Sequence, residues 1–219
     1  MPEQTFEIRI CKSCGLRYPL STGHTHGTRC PICIGETRVA LRRNLEVERN
    51  RLPVDLTLSP SPKRRGRATI LLDNIRSAGN VGSILRSAEG FGFMHAYLCG
   101  ITPTPENDAV QKTSLGAEDS VPWSYHKNAV KLVKGLKVDG WKIYGLEETA
   151  KASAISKLKK SKEDMTLIVG NEITGVDPGL LSLCDEIFFI PMRGEKKSFN
   201  AAVAFGIAAY ALTTTGRTK

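Results

Sequence analysis

LIVGNEITGVDPGLLSLCDEIFFIPM, residues 167–192, is the stretch whose reading decides the fold. Met165 to Val169 reads as an apolar strand, Pro178 to Leu183 as a helix, and Glu186 to Pro191 as a second strand. The same alternation continues outward. Ala68 to Ile75, His95 to Cys99 and Lys142 to Leu146 read as strands. Val81 to Glu89, Asn107 to Leu115, Ala129 to Leu136 and Phe199 to Thr213 read as helices. Strands that alternate with helices indicate an α/β domain with a mostly parallel sheet. The last helix contains AAVAFGIAAYAL, residues 201–212, apolar almost all round, and is expected to be buried.

One turn invites a different reading. The strand from Ala68 leads into Ser77-Ala78-Gly79-Asn80-Val81-Gly82 and then a helix, a dinucleotide-like layout. The G-x-G-x-x-G spacing is missing and no acid is evident on the second strand, which makes a nicotinamide enzyme a weak reading. There is no phosphate-binding P-loop either.

Before this domain lies a region of other texture. Cys11, Cys14, Cys30 and Cys33 form C-x2-C, fifteen residues, C-x2-C. Two tight knuckles of this spacing aim four sulfurs at one ion, the pattern of a structural zinc site. Paired disulfides are the alternative, disfavoured in a reducing compartment. Metal binding supplies folding energy to a segment too short for its own core. His24 and His26 fall between the knuckles and read as loop residues, while Cys99 and Cys184 read as core thiols. Val39 to Leu52 reads as a strand followed by a short helix. Residues 1–52 are therefore read as a zinc-ribbon-like module, 53–67 as a basic, Pro-containing linker, and 68–219 as the α/β domain.

The chain has 219 residues with 31 Lys/Arg against 22 Asp/Glu, a net charge of +9. Residues 1–67 carry 13 Lys/Arg against 6 Asp/Glu, whereas 68–219 carry 18 against 16. A basic surplus points to a polyanion, most often nucleic acid, and its location points to the first 67 residues, including Lys63-Arg64-Arg65-Gly66-Arg67, as the gripping part. The apolar fraction of 41% supports a core. The longest apolar run is too short to span a bilayer, and Met1-Pro2-Glu3-Gln4 does not start a signal peptide. A soluble cytoplasmic protein with no membrane partner is expected.

Three stretches in order carry a resemblance. They are Asp73 to Gly92 (DNIRSAGNVGSILRSAEGFG), Leu167 to Met192, and Ser198 to Tyr210 (SFNAAVAFGIAAY). The first holds Asn80, Gly82 and Arg86; the second Gly170, Glu172, Gly175, Ile190, Pro191 and Met192; the third Ser198, Phe199 and Asn200. Lys112 to Ala117 adds a minor match. Together they resemble the SpoU (TrmH-like) family of RNA 2′-O-ribose methyltransferases in the SPOUT superfamily, over about residues 68–213. Phe199 stands where the family usually has Leu, and Ser87 where Thr is common.

The resemblance implies a parallel sheet with a C-terminal trefoil knot, S-adenosylmethionine as cofactor, and a homodimer. It implies methyl transfer to a ribose 2′-hydroxyl of structured RNA, tRNA or rRNA. It also implies cofactor contacts at Gly170, Ile190 and Phe199, and a catalytic group of Arg86 with Asn80, Glu172, Ser198 and Asn200. A guanidinium is a poor base at neutral pH, so Arg86 is read as an orienter of hydroxyl and phosphate. Two alternatives stay open: an RNA-binding protein of the same fold without methyl transfer, and a SPOUT enzyme that methylates a base.

Overall fold

The computed structural model describes residues 5–21, 28–44, 66–158, 163–196 and 198–214. The chain divides into two compact units, Met1–Ser61 and Pro62–Lys219. Most of the expected linker, His24 and His26, and the short helix expected before Leu52 lie outside the described residues.

The first unit is an antiparallel sheet of β1 (Thr5–Cys11), β2 (Arg17–Ser21) and β3 (Thr37–Asn44) in the order β2-β1-β3. A bulge between Ile8 and Arg9 shifts the register of β1 on β3. Arg9 is buried and donates to Thr37 Oγ1 at 2.8 Å and to Glu7, which also pairs with Arg42.

The second unit begins with β4 (Ala68–Asp73), α1 (Ala78–Phe91), β5 (His95–Cys99), α2 (Asp108–Ser114) and α3 (Ala117–Ser120). It continues with β6 (Trp123–His126), α4 (Ala129–Val138), β7 (Lys142–Leu146) and β8 (Ser153–Ala154). It closes with β9 (Met165–Val169), α5 (Pro178–Leu181), β10 (Glu186–Phe189) and α6 (Ala201–Thr214). The sheet runs β6-β5-β4-β9-β7-β10-β8, and every pair is parallel. Strands β4 and β9 are buried along their whole length, which explains their unbroken apolar runs. Two cores flank the sheet. Ile70, Leu72, Ile84, Leu167 and Phe205 build one beneath α1 and α6. Leu71, Val133, Ile143, Ile168 and Leu180 build the other beneath α4 and α5. Fully burying a Leu or Ile side chain contributes about 1.5–3 kcal/mol, so these two layers hold the sheet in place.

Strand β10 lies between β7 and β8, which are consecutive in the chain. Residues 147–152 therefore bridge across the end of β10, and Glu147 N–H donates to Phe188 O at 2.9 Å. The chain leaving β10 at Ile190 leads to α6, and Ile190, Met192, Ser198 and Phe199 line the same cleft as Glu147 and Glu148 of this bridge.

Several elements differ from the sequence reading. The first strand stops at Asp73, two residues short of Ile75, because Asn74 takes a left-handed φ of 57°. Strands β1, β2, β6 and β8 were not foreseen: β2, β6 and β8 are short, whereas β1 alternates Phe6, Ile8 and Ile10 with polar residues and was readable as a strand. Helix α6 is not fully buried: Phe205, Ala208 and Ala209 face the core, but Val203 and Tyr210 are 50% and 62% exposed. Arg67, read as the linker's end, is docked instead. Its Nε and Nη2 donate to Asp164 at 3.0 and 2.6 Å, and its guanidinium lies 5.0 Å from the Trp141 ring. No helix among the described residues is long and apolar enough to cross a membrane.

Candidate functional site: a cleft at the carboxyl edge of the sheet

Open parallel sheets bind ligands beyond the carboxyl ends of their strands. Here a cleft of about 220 Å³ opens beyond β7, β9 and β10. Leu146, Val169, Ile190 and Phe199 give it apolar walls, and Gly170, Glu172 and Ser198 also line it. Gly170 is required by its own turn. A Cβ there would lie 2.3 Å from Gly175 C and from Val176 N, so the two arms of the turn touch only because no side chain intervenes. Gly175 has φ 72°, and a Cβ would meet Glu147 Oε2 at 2.3 Å. That carboxylate accepts the Val176 N–H at 2.9 Å and the Glu148 N–H at 3.1 Å, tying the bridge to the turn.

A chain of side-chain hydrogen bonds joins all three motifs. Asn200 Oδ1 accepts the Ala202 N–H at 2.9 Å, which caps α6 and fixes the amide. Asn200 Nδ2 then donates to Asn80 Oδ1 at 2.9 Å, and Asn80 Nδ2 donates to Glu172 Oε1 at 2.9 Å. Glu172 also accepts the N–H groups of Arg76 and Ser77, at 2.9 and 3.1 Å. Burial raises the Glu172 pKa, but the Arg76 N–H, the Asn80 amide and the Ser77 N–H outweigh it, so the net shift is downward. Glu172 is a held carboxylate and a poor proton carrier near neutrality. The cap of α1 is Ser77, whose side chain accepts the Asn80 N–H at 3.2 Å, so Asn80 is left free for the chain to Glu172.

Arg86 stands apart. It is exposed and makes no hydrogen bond or ion pair among the described residues. The buried residues of α1 are Val81, Gly82, Ile84, Leu85 and Ala88, and Arg86 lies at the exposed margin of that face. At about 100° per residue it lies roughly 120° around the helix from Asn80. It follows Gly82 by four residues and shares its stripe. Gly82 is the α1–α2 contact: a Cβ would lie 2.0 Å from Thr113 Oγ1 and 2.3 Å from Val110 O.

The sequence reading missed Asp73, Asn74, Glu147 and Asn171. Asp73 is buried and accepts the Asp177 N–H at 3.0 Å, and burial pushes its pKa up. Asn171 Nδ2 donates to Asn74 O at 2.6 Å, while its Oδ1 accepts the Ile173 and Thr174 N–H groups. Each follows or ends a strand at the carboxyl edge, and that position was the available signal.

In the first unit the four sulfurs of Cys11, Cys14, Cys30 and Cys33 lie within 4.8 Å of one another. Cys11 and Cys33 sulfurs are 3.4 Å apart, and Cys14 and Cys30 sulfurs 3.6 Å. A tetrahedral zinc with bonds of about 2.3 Å separates its sulfurs by roughly 3.8 Å, so the set fits. The Cys14 N–H lowers the Cys11 pKa to about 6 and the Cys33 N–H lowers that of Cys30, whereas the neighbouring sulfurs hold Cys14 and Cys33 above the usual thiol value. The knuckles turn at Gly15, φ 75°, and Ile34, φ 59°. Gly35 makes room for the first knuckle: a Cβ there would lie 2.6 Å from Ser13 Oγ.

A parallel α/β sheet with a bridged C-terminal strand and a carboxyl-edge cleft defines a narrow class. Residues 67–210 match the SpoU rRNA Methylase family, and the chain belongs to that family. The 23S rRNA (guanosine(2553)-2′-O)-methyltransferase RlmP of Bacillus subtilis is 32% identical over 148 residues, covering 67% of this chain and 58% of that protein. The chain thus spans less than two thirds of that relative's length. The AdoMet-bound rRNA methyltransferase from Sinorhizobium meliloti superposes with a TM-score of 0.63 at 25% identity, covering 69% of this chain and 59% of that one. The TrmH/SpoU tRNA modifying enzyme of A. aeolicus gives 0.60 at 25% identity, over 68% and 75%.

Proposed function

We propose that the chain transfers a methyl group to a ribose 2′-hydroxyl of structured RNA, rRNA or tRNA, using S-adenosylmethionine. The observation that carries this reading is the hydrogen-bonded chain Asn200–Asn80–Glu172, which couples the three motif segments beside the cleft. The cleft's apolar walls at Ile190 and Phe199, with the tight turn that Gly170 permits at its edge, suit an adenosine moiety. Bound there, S-adenosylmethionine supplies a methyl group already activated on a sulfonium. Glu172 and Asn200 are positioning residues that hold Asn80, and Ser198 lines the cleft beside them. Arg86 orients the ribose and its phosphate, which shares the departing proton.

Cys11, Cys14, Cys30 and Cys33 hold a structural zinc ion, and residues 1–52 form the module it folds. The linker and module add RNA affinity through their surplus charge. A second copy of the chain covers the exposed flank of α6 at Val203 and Tyr210, and the protein works in the cytoplasm.

The test uses methyl-labelled S-adenosylmethionine with rRNA and tRNA, followed by alkaline hydrolysis. Ribose methylation blocks cleavage at the modified nucleotide, so label is expected in an alkali-resistant dinucleotide. Label recovered in free nucleotides would assign the methyl to a base and overturn the reading. Arg86→Ala should bind cofactor as the parent does and transfer at a small fraction of its rate.

A further inference from the structure

A second recess, of about 470 Å³, lies outside the cleft along one side of α4 and the end of β6. Lys127 and Lys131 border it, Leu132 and Leu136 supply its apolar part, and Asp139 is the acid that lines it. Lys134 is exposed three residues beyond Lys131, on a neighbouring part of the helix surface. Lys127, Lys131 and Lys134 make no side-chain ion pair among the described residues. Lys137, by contrast, is engaged by Asp185 and by Leu183 O, both at 2.8 Å.

His126 lines the same recess, and its ring is held from behind. Its Nε2 lies 2.9 Å from Ser124 Oγ, which lies 2.8 Å from His95 Nε2, and Tyr97 contacts both rings. The other ring nitrogen, Nδ1, has no partner among the described residues. Gly135 also lines the recess, in the middle of α4. Glycine at such a position costs about 1 kcal/mol relative to alanine. No contact in the fold requires it, since a Cβ there meets nothing within 4 Å. A bare backbone beside the ammonium groups of Lys127 and Lys131, with Lys134 on the adjoining helix surface, leaves room for an anionic chain to approach closely.

The location relates the recess to the cleft. His126 ends β6 and Gly170 follows β9, both at the carboxyl ends of parallel strands. At its His126 end the recess is three strand spacings from β9, about 14 Å, and five from β10, about 24 Å, distances that a few nucleotides span. We infer that this recess holds a phosphodiester segment of the same RNA that is methylated, an inference that rests on the methyltransferase reading. Phosphate contacts of this kind set register and carry no sequence information. The α/β unit thus grips RNA itself, although its charges nearly balance.

The test is RNA affinity against salt, with the full chain and a fluorescein-labelled RNA hairpin. Lys127→Gln/Lys131→Gln/Lys134→Gln should reduce the slope of log K on log[KCl] by about 2–3, with S-adenosylmethionine binding unchanged. Gly135→Gln, which fills the open wall without altering charge, should weaken RNA binding severalfold, keep the slope, and not lower the melting temperature. A triple variant with the parental slope and affinity overturns the recess and leaves methyl transfer standing. A triple variant that keeps RNA binding but loses polyglutamate binding assigns the recess to an acidic protein and also overturns the proposal. A parent protein that neither binds the hairpin nor methylates RNA overturns both readings.

Discussion

Gly82→Ala and Gly90→Ala put the same methyl group on the same helix, and the structure predicts opposite signs. Helix propensity alone favours both variants, by up to about 1 kcal/mol. At Gly90 nothing lies within 4 Å of the new Cβ, so the gain survives. At Gly82 the Cβ would lie 2.0 Å from Thr113 Oγ1, 2.3 Å from Val110 O and 2.8 Å from Ser114 N. The hydroxyl can rotate away, but two of the three atoms are backbone, so α2 must move. Overpacking costs about 1–3 kcal/mol, and a backbone obstacle puts Gly82 at the upper end. Subtracting the propensity gain leaves Gly82→Ala about 2 kcal/mol less stable than the parent. For a domain of this size that lowers Tm by about 4–8 °C. Urea unfolding at constant slope is the assay. Because Arg86 sits one turn beyond Gly82 on the same stripe, methyl transfer should fall with stability in Gly82→Ala and not in Gly90→Ala. A Gly82→Ala protein as stable as the parent would refute the packing role assigned to this motif glycine.

Three further outcomes are expected. Glu172 has a folded pKa below its usual 4.5, so its stabilisation is present above that value and is lost as pH falls through the folded pKa; Glu172→Gln should flatten this acid limb in a pH series of unfolding curves. The protein as purified should carry one zinc ion per chain by elemental analysis, and a chelator should melt amide signals of residues 5–44 while leaving those of 66–214; full retention of the first set would refute a structural metal. Glu147→Gln keeps one carbonyl acceptor where the carboxylate holds both Val176 and Glu148 N–H groups, so cofactor affinity measured by calorimetry should drop while urea stability changes by about 1 kcal/mol or less.

The parallel sheet was legible because fully buried strands leave unbroken apolar runs, as in Ile70 to Leu72 and Leu167 to Val169. Trp123 to His126 left no such trace: it is an edge strand with one residue exposed and three partly so. The tetrad of Cys11, Cys14, Cys30 and Cys33 was legible from spacing alone, because two knuckles need only local geometry to converge. Asn80, Glu172 and Asn200 were readable only as members of ordered motifs. Their hydrogen bonds join residues 92 and 120 positions apart, which no periodicity encodes. The exposure of Arg86, and the separate duty of Ser77 as the cap of α1, required coordinates because helix faces are fixed by what packs around them. The half-open flank of α6 misled the reading for the same reason: an all-apolar helix looks buried until one neighbour is found on one side only.

The position of β9 has a consequence for how the molecule is made. It joins β4 to β7, pairing Thr69 with Thr166 and Ile143 with Thr166. Of the seven-stranded sheet, what is translated before Met165 therefore exists as unconnected pieces, β6-β5-β4, β7 and β8, with open inner edges where β9 and β10 will pair. A nascent chain cannot close its sheet until three quarters of it has left the ribosome, and those inner edges stay available to other strands meanwhile. Loss of the segment from Met165 onward should leave no closed α/β sheet behind, only pieces without the strand that joins them.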